Sequence, residues 1–162
     1  MASQDDVWAA LILGGLVGAA LAKKPEEKKE QRAYPSLEQQ ALLRQQKIGN
    51  FPSLENVKSK PEVYNIFVES ARMFSFGFFR GSSILASALI ESVLREKFGE
   101  MRFADLIEKS KTDGLVLEPD YHYLHALRSQ RNDFVHNVFV EVKEEDALLM
   151  LQITVRLLNK IL

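Results

Sequence analysis

The 162-residue sequence predicts an all-α protein. Three observations carry that expectation. From Pro61 onward, apolar residues recur every three or four positions, the spacing of one helix face. Helix-starting and helix-stopping residues fall between those runs. Only Leu115–Leu117 and Val138–Val142 have a strand-like composition, and both are short.

The elements follow in order. Residues 36–48 (SLEQQALLRQQKI) predict a short helix with Ser36 as N-cap and Leu37, Ala41 and Leu42 at helical spacing. Gly49 to Lys60 is rich in Gly, Asn, Pro and Ser and reads as loop. Pro61 suits a first helical position, followed by Val63, Ile66, Phe67, Met73 and Phe74. Gly77 and Gly81 break that run, and Ser82 or Ser83 is the expected cap of the next helix. Its face reads Ile84, Leu85, Ala88, Leu89, Ser92 and Val93, and it ends at Gly99. Phe103 to Lys109 makes a short helix closed by Asp113-Gly114. Asp120 is placed to cap a helix running to about Asn137. The last helix opens on Glu144, Glu145 and Asp146, which favour the positive end of its dipole. Its seam is Leu148, Leu151, Val155, Leu158 and Leu162. Phe74, Phe76, Phe78 and Phe79 cluster between two helices and read as core or subunit interface rather than as a stacking platform for bases.

Composition narrows the chemistry. Hydrophobic residues at 46% and charged residues at 27% belong to a globular chain. With no cysteine, a disulfide scaffold, Cys-based zinc sites and a thiol nucleophile are excluded. Lys and Arg total 21 against 22 Asp and Glu, so no overall basic excess points to nucleic acid. For an RNA-cleaving protein this balance leaves three alternatives: the positive charge is local, around Arg128, Arg131 and Arg156, or substrate choice is narrow, or cleavage has been lost. His122 and His125 lie three apart near Glu118 and Asp120, but zinc needs a further well-placed ligand that the sequence does not offer. Gly14 to Gly18 follows no strand and lacks the Lys-Ser/Thr ending of a phosphate loop.

The chain before residue 61 has two unlike parts. Val7 to Ala22 is sixteen residues without a charge, about 24 Å long as a helix and short of a bilayer core of roughly 30 Å. Lys23 to Arg32 then holds five basic and three acidic residues and reads as a solvated stretch. Asp5 and Asp6 in front argue against a secretory signal. Three expectations stand for Val7–Ala22. One is a membrane anchor with its acidic front outside and the rest of the chain on the cytoplasmic face. The second is a helix docked on protein, and the third a disordered tail. The Gly14–Gly18 spacing suits close packing of membrane helices.

The helix from Asp120 is the informative one. Leu124, Leu127, Phe134 and Val138 form an apolar seam whose missing member is Arg131. A guanidinium there must find a carboxylate, a phosphate or water, because burying it unpaired is costly. Arg128, Asn132 and His136 follow at i, i+4 and i+8 on a second face. A structural reading pairs Arg131 with Glu91 and leaves His136 at the helix C-terminus. A functional reading sees two arginines, an amide and an imidazole gathered for a phosphate.

The run Arg131-Asn132-Asp133-Phe134-Val135-His136 resembles the signature of the HEPN superfamily (higher eukaryotes and prokaryotes nucleotide-binding), an Arg followed after four to six residues by a His. The segments ALIESVL, FADLIEKS, LHALRSQRNDFVHN and KEEDALLMLQITVRLLNKIL occur in the order seen in such domains. The resemblance covers residues 61–162 and implies an up-and-down helical bundle that dimerises through its motif helices. It further implies a metal-independent endoribonuclease acting in defence or as a toxin, with RNA as substrate and an antitoxin or defence partner. In that reading Arg131 and His136 are the catalytic pair, with Asn132, Arg128, Asp133 and Glu91 in support and no cofactor. The alternative is a non-catalytic module binding a nucleotide, RNA or a partner protein in the same groove. Residues five apart on a regular helix lie about 140° from each other. A helix end, a distortion or a second copy must therefore bring such a pair together.

Overall fold

A computed structural model of the chain describes residues 35–49, 51 and 54–162. The apolar run Val7–Ala22, with its expected membrane or docking role, lies outside the described residues. Among the described residues no helix is long and apolar enough to cross a membrane.

These residues form seven helices and no strand: α1 (Leu37–Gly49), α2 (Glu55–Lys58), α3 (Pro61–Ser75), α4 (Phe79–Phe98), α5 (Phe103–Thr112), α6 (Glu118–His136) and α7 (Glu144–Ile161). The all-α expectation holds for them. Leu115–Leu117 and Val138–Val142, the two strand-like pieces, are connections without a pairing partner.

Helix α4 is central and packs against α3, α5, α6 and α7. That position explains why its predicted face was only partly right: Leu89 and Val93 are buried as expected, the other four members are not. Buried residues surround Ala86, Ile90 and Leu94, while Ile84, Leu85 and Ala88 are only partly covered and Ser92 is exposed. Helices packed on several sides lose the single stripe that sequence periodicity detects. Gly81 does not break the chain either. It lies in the first turn of α4, where an added Cβ would stand 3.2 Å from the Met73 methyl on α3. Ser82 and Ser83 are buried within the helix instead of capping it; the Ser70 hydroxyl on α3 donates to the Ser82 carbonyl at 2.8 Å. The break between α3 and α4 falls at Gly77 alone, at φ 85°.

Ser36 does cap α1: the Gln39 amide donates to its hydroxyl at 3.2 Å, and the Ser36 amide donates back to the Gln39 side chain at 2.9 Å. The face α1 buries is Ala41, Gln45 and Ile48, whereas Leu37 and Leu42 are exposed. The expected loop after it contains the turn of helix α2 and sends Phe51, Leu54 and Val57 into the common core. Arg44 fastens α1 to the rest, donating to Glu144 on α7 at 2.9 Å and to the Ser75 carbonyl at 3.3 Å, with its guanidinium 5.1 Å from the Phe79 ring. Phe74 is buried against Phe79, while Phe76 and Phe78 are exposed. In α7, Leu151, Val155 and Leu158 are buried and Leu148 and Leu162 partly so, as the seam predicted.

Candidate functional site

Helix α6 begins at Glu118, with Pro119 in its first turn, three residues earlier than a cap at Asp120 requires. Asp120 is fully buried and serves another purpose. Its carboxylate accepts from Arg156 at 2.7 Å and from Lys160, both on α7. Burial disfavours its charged form, but the Lys160 and Arg156 bonds outweigh that and hold the carboxyl below its usual range. The Tyr123 ring lies 5.2 Å from the Arg156 guanidinium. Arg156 is therefore committed to tying α6 to α7.

Further along α6, Leu124, Leu127 and Phe134 are buried as the seam predicts. Val138 is not: the helix ends at His136, Asn137 turns extended (φ −121°, ψ 91°), and Val138 is left exposed. Arg131 occupies its gap in the seam with a side chain 31% exposed, and its Nη1 lies 3.1 Å from Glu91 Oε2 on α4. Its Nε is buried and has no hydrogen-bond partner among the described residues. Glu91 is shared. Its other oxygen accepts from Arg95 at 2.7 Å, and Arg95 in turn reaches Glu100. The structural reading of Arg131 is thus realised, yet its guanidinium keeps an unpaired donor and partial access to solvent.

Arg128 and Asn132 are half-buried, and Asp133 and His136 are exposed. Two bonds from Arg102, at 2.7 and 2.9 Å, hold the Asp105 carboxyl below its usual range, and the charge of Arg128 contributes to that shift. Arg131, Glu91, Arg95 and Glu100 thus form one chain of ion pairs, and Arg102 with Asp105 forms another beside Arg128. Part of the positive charge expected near the motif is neutralised by these carboxylates. Among the described residues no three His, Asp or Glu side chains gather to hold a metal ion. His122 Nε2 lies 3.4 Å from Glu118, and His125 Nε2 lies 3.3 Å from Glu108.

The chain after His136 is held from outside its own helix. Arg80, in the first turn of α4, donates to the carbonyls of Phe134 (2.5 Å), Asn137 (3.3 Å), Val138 (3.2 Å) and Val140. Sequence reasoning missed Arg80. The available signal was the absence of any glycine between His136 and Lys143 to close the helix. Near this end stand Phe78, Val135, Val138 and Phe139, all exposed, Phe139 at 93%.

The family model described as a domain of unknown function, DUF4145, matches residues 68–162. The chain belongs to the DUF4145 family. The match begins within α3, so α1 and α2 precede it, and it contains Arg80, Glu91 and every residue of the Arg131–His136 motif. Comparisons with curated proteins and with solved structures returned no match. In this DUF4145 domain the motif residues occupy the C-terminal half of α6, and Glu91 on α4 pairs with Arg131.

Proposed function

We propose that this DUF4145 protein is a metal-independent endoribonuclease with an HEPN-like bundle, in which Arg131 and His136 are the catalytic pair. The observation that supports the reading best is the state of these two side chains. His136 is exposed on the last residue of α6, and the Arg131 side chain keeps partial access to solvent beside a carboxylate.

In this reading the RNA 2′-hydroxyl attacks the adjacent phosphorus and the bond to the 5′-oxygen breaks. One imidazole takes the 2′ proton and another protonates the departing 5′-oxygen. Arg131 neutralises charge that builds on the phosphorane oxygens. The products are a 2′,3′-cyclic phosphate and a 5′-hydroxyl. Two imidazoles require two copies of His136, which a homodimer supplies. The exposed Val135, Val138 and Phe139 next to His136 in the chain favour such pairing, because apolar side chains left in water at one end of a helix gain by mutual burial. Asn132 and Arg128 support the substrate, and Glu91 holds Arg131. A toxin or defence role, with a matching antitoxin, belongs to the same proposal.

The Glu91–Arg131 pair favours a second reading. A guanidinium already compensated by a carboxylate serves a non-catalytic module that binds RNA, a nucleotide or a protein through the same surface.

The test incubates the full chain, Arg131→Ala and His136→Ala with mixed RNA in EDTA and identifies the new ends. The expected result is cyclic phosphate ends from the wild type alone, with losses of about 100-fold or more in each variant. Equal cleavage in all three samples overturns the site. No cleavage by a folded dimer supports the binding module.

A further inference from the structure

We propose that Arg80 is a positioning residue for His136, acting through the backbone that carries the imidazole. The inference rests on the ribonuclease reading above.

The last carbonyls of a helix have no partner within it, and a helix that closes without a left-handed residue needs donors from elsewhere. Helix α6 closes on Asn137 in extended conformation, and among the described residues none other than glycine has positive φ. Arg80 supplies the donors. Nη1 serves Phe134 and Asn137, and Nη2 serves Val138 and Val140, so the bonded carbonyls bracket His136 on both sides. A cation at this position also favours the negative end of the helix dipole. The Asn137 side chain tightens the same turn by accepting from the Phe139 amide at 3.2 Å.

The base of this clamp is packed. Arg80 follows Phe79, whose ring packs 5.6 Å from buried Phe74 and lies beneath the Arg44 guanidinium. The His136 side chain is exposed, so its placement depends on the backbone beneath it. Only a planar fork can serve four carbonyls in this arrangement; a lysine keeps the charge but donates from a single point. Loosening the turn leaves the substrate-binding arginines where they are and lets the imidazole wander. A displacement of about 1 Å at a reacting group costs roughly 100-fold in rate.

The experiment compares full-chain wild type, Arg80→Lys and Arg80→Ala on a short RNA oligonucleotide, with thermal melting and imidazole NMR of the same samples. The expected result is a fall in kcat of about 10- to 100-fold with KM changed less than about threefold. The His136 resonances broaden or shift in both variants, while those of His122 and His125 stay in place as internal references. If Arg80→Ala does not fold, Arg80→Lys carries the test. Variants that cleave as fast as a cleaving wild type overturn this inference alone. So does a loss of rate in which all three histidines shift together with a collapsed melting temperature. A wild type that cleaves no RNA overturns the ribonuclease reading and this inference with it.

Discussion

The Arg131 guanidinium on α6 lies 3.1 Å from the Glu91 carboxylate on α4, and Glu91 is 8% exposed. A charge this deep in a helix interface is tolerable because its partner is opposite it, and removing one member strands the other. Glu91→Ala is therefore expected to cost about 2 kcal/mol, discounted from the value for full burial because Arg131 retains access to water. In a domain of this size that lowers Tm by roughly 6 °C. An unchanged melting curve would show that Arg131 is compensated by something other than Glu91.

Asp120 predicts a pH dependence. Burial works against its charged form, but Lys160 and Arg156 prevail and its carboxyl is depressed in the folded protein. A depressed carboxyl stabilises the fold above its unfolded pKa of about 3.9, and that contribution is lost as pH falls through the folded pKa. Urea unfolding of wild type and Asp120→Asn is expected to differ by about 2 kcal/mol near pH 7. The difference should shrink steadily in acid below about pH 4. Glu144, desolvated but held down by Lys47 and Arg44, adds to the wild-type loss in the same direction.

Gly81→Ala is expected to stabilise the protein. Alanine in a helix interior is favoured over glycine by about 1 kcal/mol. The new Cβ meets only Met73, its methyl at 3.2 Å and its sulfur at 3.5 Å, the end of a flexible and partly exposed side chain that can move aside. A net gain of about 0.5 kcal/mol by denaturant titration is the expected outcome. A loss would mean that the α3–α4 contact cannot yield.

Ile48 tests whether α1 belongs to the same cooperative unit as the DUF4145 match. It is fully buried in the common core although it precedes the matched segment. Ile48→Ala should cost about 3 kcal/mol. The loss should appear in one transition monitored by helix content and by aromatic fluorescence alike. Two separate transitions would show that α1 folds apart.

The sequence by itself determined that these residues are helical, where α3, α5 and α7 lie to within a few residues, and that Arg131 interrupts an apolar seam with Glu91 as a candidate partner. Those are local properties: periodicity, caps and one residue of the wrong polarity are written in neighbouring positions. Tertiary structure alone decided the buried face of α4, because a helix packed on several sides has no stripe to read. It reassigned Asp120 from cap to buried counterion, because Arg156 and Lys160 come from another helix, 36 and 40 residues away. It also gave the end of α6 to Arg80, more than fifty residues upstream. A glycine cap is local and announces itself in sequence. A guanidinium arriving from another helix replaces it only once the chain has packed, and at His136 that replacement shapes the candidate site.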